Sequence, residues 1–142
     1  MREMEVMHEV LLQEVKRQLG KIVIDHMDET IQKGYINLGT SFDMHPFVDI
    51  IGDYYHIKVC ERREVVYDYA TSNVNLAAYV ILEDYTYRRE FACLEDRFKY
   101  SRNTDVEAMI REMQEQYFKA FDEIYLQYFE KEISILNLDN VD

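Results

Sequence analysis

The sequence predicts an α+β fold: a three-stranded antiparallel sheet packed against an N-terminal helix and two long C-terminal helices. Three observations carry this. Apolar residues recur at three- and four-residue steps in both the first and the last thirds of the chain, which is the period of a helix. Between those thirds, residues 47–70 alternate tyrosines and β-branched residues with charges, which is the period of a strand. Two short reversals, Gly52-Asp53 and Arg62-Arg63, divide that middle stretch and favour antiparallel neighbours. The 142 residues fit one domain, 1–142, with a helix over 3–32, a sheet over 47–70 and helices over 73–99 and 105–133.

The first helix rests on Met4, Met7, Leu11, Val15, Leu19 and Ile22, with good helix formers between them. Gly20 weakens or ends it, Asp25 to Gln32 continues it or forms a separate turn, and Gly34 is a natural stop. Residues 34–46, with two glycines and the single proline, read as a loop. The first strand runs Phe47 to Ile51, and Gly52-Asp53 suits a two-residue hairpin turn of type II′. In the second strand Tyr55, Ile57 and Val59 share one face and Tyr54, His56, Lys58 and Cys60 the other. The third strand, Glu64 to Ala70, places Val65, Tyr67 and Tyr69 together.

Thr71-Ser72-Asn73 supplies N-cap residues for the next helix, where Leu76, Tyr79, Val80, Ile81, Leu82, Tyr87, Phe91, Leu94 and Phe98 form the apolar stripe, with a break near Glu83–Thr86. In the last helix Thr104 and Glu107 have the spacing of a capping box. Its stripe is Val106, Ile110, Met113, Tyr117, Phe121, Ile124 and Tyr128. The predicted core is Leu11, Val15, Leu19, Val48, Ile50, Tyr55, Ile57, Val59, Leu76, Val80, Phe91, Leu94, Ile110, Met113, Tyr117, Phe121 and Ile124.

Net charge is −12, unevenly spread. Residues 1–53 carry 10 acids and 5 bases, residues 54–104 carry 8 of each, and residues 105–142 carry 10 acids and 3 bases. Such a chain repels phosphate backbones, which argues against nucleic-acid binding. It attracts a basic partner, or the acidity serves solubility alone. The basic residues of the middle stretch share it with equal numbers of acids, so they read as internal salt bridging. Twelve tyrosines and no tryptophan suit an interface that needs contact area with a polar tip. Cys60 and Cys93 are the only cysteines, too few for a disulfide scaffold. The N-terminal residues hold no continuous apolar run of the signal-peptide kind, and no stretch approaches the roughly 20 apolar residues of a membrane span. The expectation is a cytoplasmic protein that does not contact membranes.

No constellation points to chemistry, so no catalytic residue, metal ligand or cofactor is expected. His8, His26, His45 and His56 lie more than four residues apart, without HExxH or CxxC. Asp25, His26 and Asp28 are close, in the manner of a solvated helix face. Cys60 and His56 are four apart on a strand, about 13 Å, too far for a nucleophile and its base. Adjacent acids such as Glu83-Asp84, Glu95-Asp96 and Asp122-Glu123 diverge on a helix, which makes them charge density and not acid/base pairs.

The run Tyr55-His56-x4-Glu61-Arg62, followed by a strand, Thr71 and a helix with Leu76 and Tyr79, resembles a family of small bacterial immunity proteins, encoded beside polymorphic toxins. The likeness spans about 47–133 and includes a closing helix ending in Glu-Ile, here Glu132-Ile133. It implies a non-enzymatic inhibitor of a cognate, basic toxin, with Tyr55, His56, Glu61 and Arg62 fixing the hairpin. The contact residues expected from charge are Glu115, Asp122, Glu123 and Glu130 on the last helix. The alternative is a phage- or plasmid-encoded adaptor or regulator for another basic protein. A third is a small hydrolase or transferase, which a deep polar pocket would favour.

Overall fold

The computed structural model describes residues 2–22, 45–62, 64–98 and 105–141, and the side chains of all of these except 2–4 and 93–98. Helix α1 (Arg2–Leu19) runs into a 3-10 turn, Gly20–Ile22. Strands β1 (Phe47–Ile51), β2 (Tyr54–Glu61) and β3 (Glu64–Thr71) follow, then helices α2 (Val74–Phe98), α3 (Val106–Ala120) and α4 (Glu123–Glu130), and a 3-10 turn at Leu138–Asn140. The α+β architecture is the one expected. Within the described residues the first α-helix stops at Leu19, beside the weak former Gly20. The proposed continuation at Asp25 to Gln32, the stop at Gly34 and the loop up to residue 44 lie outside the described residues.

The strands form an antiparallel sheet in the order β1-β2-β3. Gly52 opens the first hairpin turn with φ +63°, a conformation only glycine adopts without strain. Tyr55, Ile57 and Val59 are buried as the alternation requires. The third strand departs from it. Val59 faces Tyr67 but Cys60 faces Val65, so Val66 is an extra residue in a β-bulge. The bulge moves Val65 off the side shared by Tyr67 and Tyr69, and Val65 is 52% exposed while those tyrosines pack partly against the core.

Helix α2 is the centre of the molecule. Leu76 through Leu82 are all buried, as befits a helix covered on every side, and α2 touches α1, α3, α4 and all three strands. Asn73 caps it, its Oδ1 accepting from the N–H groups of Asn75 (3.0 Å) and Leu76 (3.2 Å). The break expected near Glu83–Thr86 is absent. The Thr86 hydroxyl donates to the Leu82 carbonyl at 2.8 Å, so this polar residue is satisfied inside a continuous helix.

Two predicted core residues are surface residues. Phe91 is 41% exposed, stacked on Tyr87, and Met113 is 41% exposed. The buried positions beside them are polar: Thr86 and Glu90 on α2, Gln114 on α3. Gln114 Nε2 donates to the Glu83 carbonyl (2.9 Å) and to Thr86 Oγ1 (3.2 Å), and the buried stripe of α3 is Ile110, Gln114 and Phe118. Tyr117 and Ile124 pack partly buried at the core edge, and the Leu94 side chain is outside the described set.

The expected helix over 105–133 is two helices, interrupted where Phe121 is extended (ψ 173°). Asp105 caps α3 by accepting from Ala108 N at 3.1 Å, and Glu107 accepts from the Tyr87 hydroxyl, while Thr104, the other half of the expected capping box, lies outside the described residues. The break turns aromatic rings inward. Phe118 stacks on Phe129 with centroids 4.6 Å apart and meets Phe121 edge-on at 5.1 Å, and Tyr79 packs against Phe118 and Tyr128. Glu132-Ile133 lies just past α4. The Ile133 N–H donates to Tyr128 O and the Glu132 N–H to Phe129 O, both at 3.0 Å, which is the Schellman stop.

Candidate functional site

Two of the four motif residues tie the sheet together. Tyr55, on the core face of β2, donates its hydroxyl to the Met7 carbonyl of α1 at 3.0 Å, and burial raises its phenol pKa. His56, on the opposite face, has Nδ1 2.8 Å from Asp68 Oδ1 on β3. Beside it Lys58 donates to Asp49 Oδ2 on β1 at 3.1 Å. The outer face of the sheet is thus crossed by polar pairs that link all three strands. Glu61 and Arg62 differ from expectation. Glu61 faces Glu64 across the hairpin, Arg62 is exposed with φ +52°, and no ion pair joins the two among the described residues.

The four acids chosen from charge divide in the same way. Asp122 stands at the N-cap position of α4 and is held by α1 and the turn that follows it: Arg17 donates to its Oδ2 at 2.6 Å, Gln18 at 3.0 Å, and Lys21 donates to Oδ1 at 2.5 Å. Hydrogen bonds from Lys21, Arg17 and Gln18 keep its carboxyl far below the usual carboxylate range. Tyr125 and Glu14 extend this clasp, the tyrosine donating to Glu14 Oε1 at 2.9 Å. Burial pushes the Glu14 pKa up, and the bonds from Gln18, Tyr125 and Arg17 outweigh it, so the net direction is down. Asp122 is therefore a joint between α1 and α4.

Glu115, Glu123 and Glu130 are exposed. Glu115 stands 3.7 Å from Lys119, and Glu123 accepts from Gln127 at 3.4 Å. Glu123 and Glu130 are two helical turns apart and share a face of α4. Across 105–141 the exposed acids are Asp105, Glu107, Glu112, Glu115, Glu123, Glu130, Glu132 and Asp139, against the exposed bases Arg111, Lys119 and Lys131. Arg111 is partly spent on the protein itself, lying 4.2 Å from the Phe129 ring centroid and donating to the Phe129 carbonyl at 3.1 Å.

The sequence did not point to a cleft of about 400 Å³ between α2 and α3, lined by Glu83, Tyr87, Asp105, Glu107, Ala108, Arg111 and Gln114. A smaller one of about 190 Å³ lies on the far side of Glu83, beside Asp84, Tyr79 and Ile135. Burial, and then the charge of Asp84, push the Glu83 carboxyl up. Tyr87 donates to Glu107 Oε1 at 2.5 Å, and that bond to a carboxylate raises the phenol to about 12. The one signal for this cleft was Glu83-Asp84 directly after the apolar run Leu76 to Leu82. Its chemistry is that of an acidic seat for a cationic side chain, with Arg111 at the rim.

Among the described residues no group of three or more His, Cys, Asp and Glu is placed to hold a metal ion, and no helix is long and apolar enough to cross a membrane. No protein-family model matches the chain, and neither the curated proteins nor the solved structures give a match to it.

Proposed function

We propose that this chain is an immunity protein: a stoichiometric inhibitor that binds a cognate, basic bacterial toxin in the cytoplasm and neutralises it by steric and electrostatic occlusion. The observation that carries this reading is the exterior of the C-terminal third, where eight exposed carboxylates outnumber three exposed bases on α3, α4 and the residues that flank them. A field of one sign speeds encounter with a partner of the other sign and fixes its orientation. The clasp at Asp122 holds α4 on α1, so the charged face is presented without an ordering cost. The Tyr55-His56…Glu61-Arg62 resemblance supports the same reading.

The test is co-expression with the toxin encoded beside it, scored by growth and by co-purification. Rescue of growth with a one-to-one complex whose affinity falls as salt rises is the expected result. Growth arrest that this chain does not relieve, with no complex recovered, removes the reading for that pair.

A further inference from the structure

The two edges of the sheet differ. Along β1, Phe47, Val48 and Ile50 are buried. Along β3, Glu64, Val65, Val66, Asp68 and Ala70 are exposed, with Val65 at 52% and Val66 at 56%. Among the described residues no strand lies beyond β3. An edge strand keeps one side of its amides and carbonyls free for another strand, and proteins blunt that hazard with lysine, proline or inward charge. β3 has neither lysine nor proline. Its protective devices are the charges of Glu64 and Asp68 and the bulge at Val66, and the bulge turns two consecutive valines out to solvent where a guard would be polar. Beyond it, Tyr67 to Thr71 run in unbroken register with β2, five residues of regular ladder.

Charge selects what can lie there. β3 carries Glu64 and Asp68 and no base. A second copy of this chain would bring another −12 and a strand with the same two acids and no base of its own. An extended segment with lysine or arginine alternating with β-branched residues matches both the acids and the valines. We propose that β3 accepts such a basic segment of the partner as a fourth strand, hydrogen-bonded along Tyr67–Thr71 and seated on Val65 and Val66. The proposal rests on the reading of this chain as the inhibitor of a basic protein, and adds the mode of contact.

The experiment is amide hydrogen exchange on the full chain with two short probes, a peptide alternating valine with lysine and one alternating valine with glutamate. The expected result is that the lysine peptide slows exchange about tenfold at β3 amides within Tyr67–Thr71, as new ladder bonds do. The glutamate peptide does not, and Val66→Lys removes the effect without lowering the melting temperature. Exchange at β3 unchanged by the lysine peptide overturns the proposal. Equal protection by both peptides overturns its basic occupant, and protection that grows with protein concentration alone assigns the edge to a second copy. Perturbation confined to α3 and α4 sinks strand addition and leaves the inhibitor reading standing. Protection at β3 beside a failed growth rescue does the reverse.

Discussion

Gln18 and Asp122 bond each other twice: Gln18 Nε2 donates to Asp122 Oδ2 at 3.0 Å, and the Asp122 backbone N–H donates to Gln18 Oε1 at 2.9 Å. Gln18 is fully buried, and the pair closes the gap left where α3 breaks from α4. Gln18→Leu keeps the volume and removes both bonds, leaving a backbone donor without its partner. The expected loss is about 2–3 kcal/mol in thermal or urea unfolding. A Gln18→Leu chain as stable as the parent would show that water replaces the amide at no cost.

Two carboxyls give opposite dependences on pH. Asp122 is held well below its ordinary value of 3.8 by Lys21, Arg17 and Gln18. A group depressed by folding stabilises the protein above its unfolded pKa and loses that contribution as the pH falls through the folded one. Stability should therefore decline as pH drops below that ordinary value, and Asp122→Asn should flatten the decline. Glu83 is raised above its ordinary 4.5 by burial and by Asp84. Its charged form disfavours folding, so stability is lost as pH rises from the ordinary value through the folded one. Glu83→Gln should stabilise at neutral pH and make no difference in acid. Melting temperatures across about pH 2–8 decide both (a window that reaches well below ordinary carboxylate values), and parallel curves for parent and variants refute the assignments.

Backbone conformation yields two stabilising substitutions. Glu132 has φ +56° at the left-handed position of the Schellman stop, and Arg62 has φ +52° in the β2–β3 turn. A side chain at such a φ costs roughly 1 kcal/mol that glycine does not incur, less the extra freedom glycine has when unfolded. Glu132→Gly and Arg62→Gly should each raise stability by about 0.5–1 kcal/mol. Arg62→Ala, which keeps the strain and removes only an exposed side chain, should change stability by less than about 0.5 kcal/mol. Loss of stability in Arg62→Ala would instead restore the hairpin role that the Tyr-His…Glu-Arg motif suggested.

Elements whose periodicity matched their burial were legible in the sequence, and elements held by polar side chains were not. Leu11, Val15 and Leu19 on α1 and Tyr55, Ile57 and Val59 on β2 are buried as read, because one face of each is apolar and nothing competes with it. The stripe of α2 and α3 was misread by about one residue. Phe91 and Met113 looked like core, yet Glu90 and Gln114 are inside, since buried polar groups that find partners cost little. Glu90 and Tyr117 meet across the two helices by such a bond. The break at Phe121 was hidden because Asp122-Glu123 reads as ordinary helix surface. Asp122 stands at the N-cap position of α4 without a side-chain cap bond, and its carboxylate is taken up by Arg17, Gln18 and Lys21 from far along the chain. The same long-range contact withdrew Asp122 from the acids that charge alone had assigned to a partner.

The remaining acids of that set give the prediction closest to function. Glu123 and Glu130 share one face of α4, and both are exposed. Reversing them in Glu123→Lys/Glu130→Lys removes four units of negative charge from one surface while touching no buried group. Folding stability should change by less than about 1 kcal/mol, since exposed charges contribute little. Association with a basic toxin should slow by about tenfold or more, and the dependence of the association rate on salt should become shallower, because steering acts through the long-range field. Glu115→Gln should do less, as Lys119 already offsets part of that charge. Asp122→Asn should act in the opposite order, lowering stability first and association only as a consequence. Stopped-flow association at two salt concentrations, beside melting curves for each variant, separates these outcomes. Unaltered association in the doubly reversed chain would place the contact face away from α4.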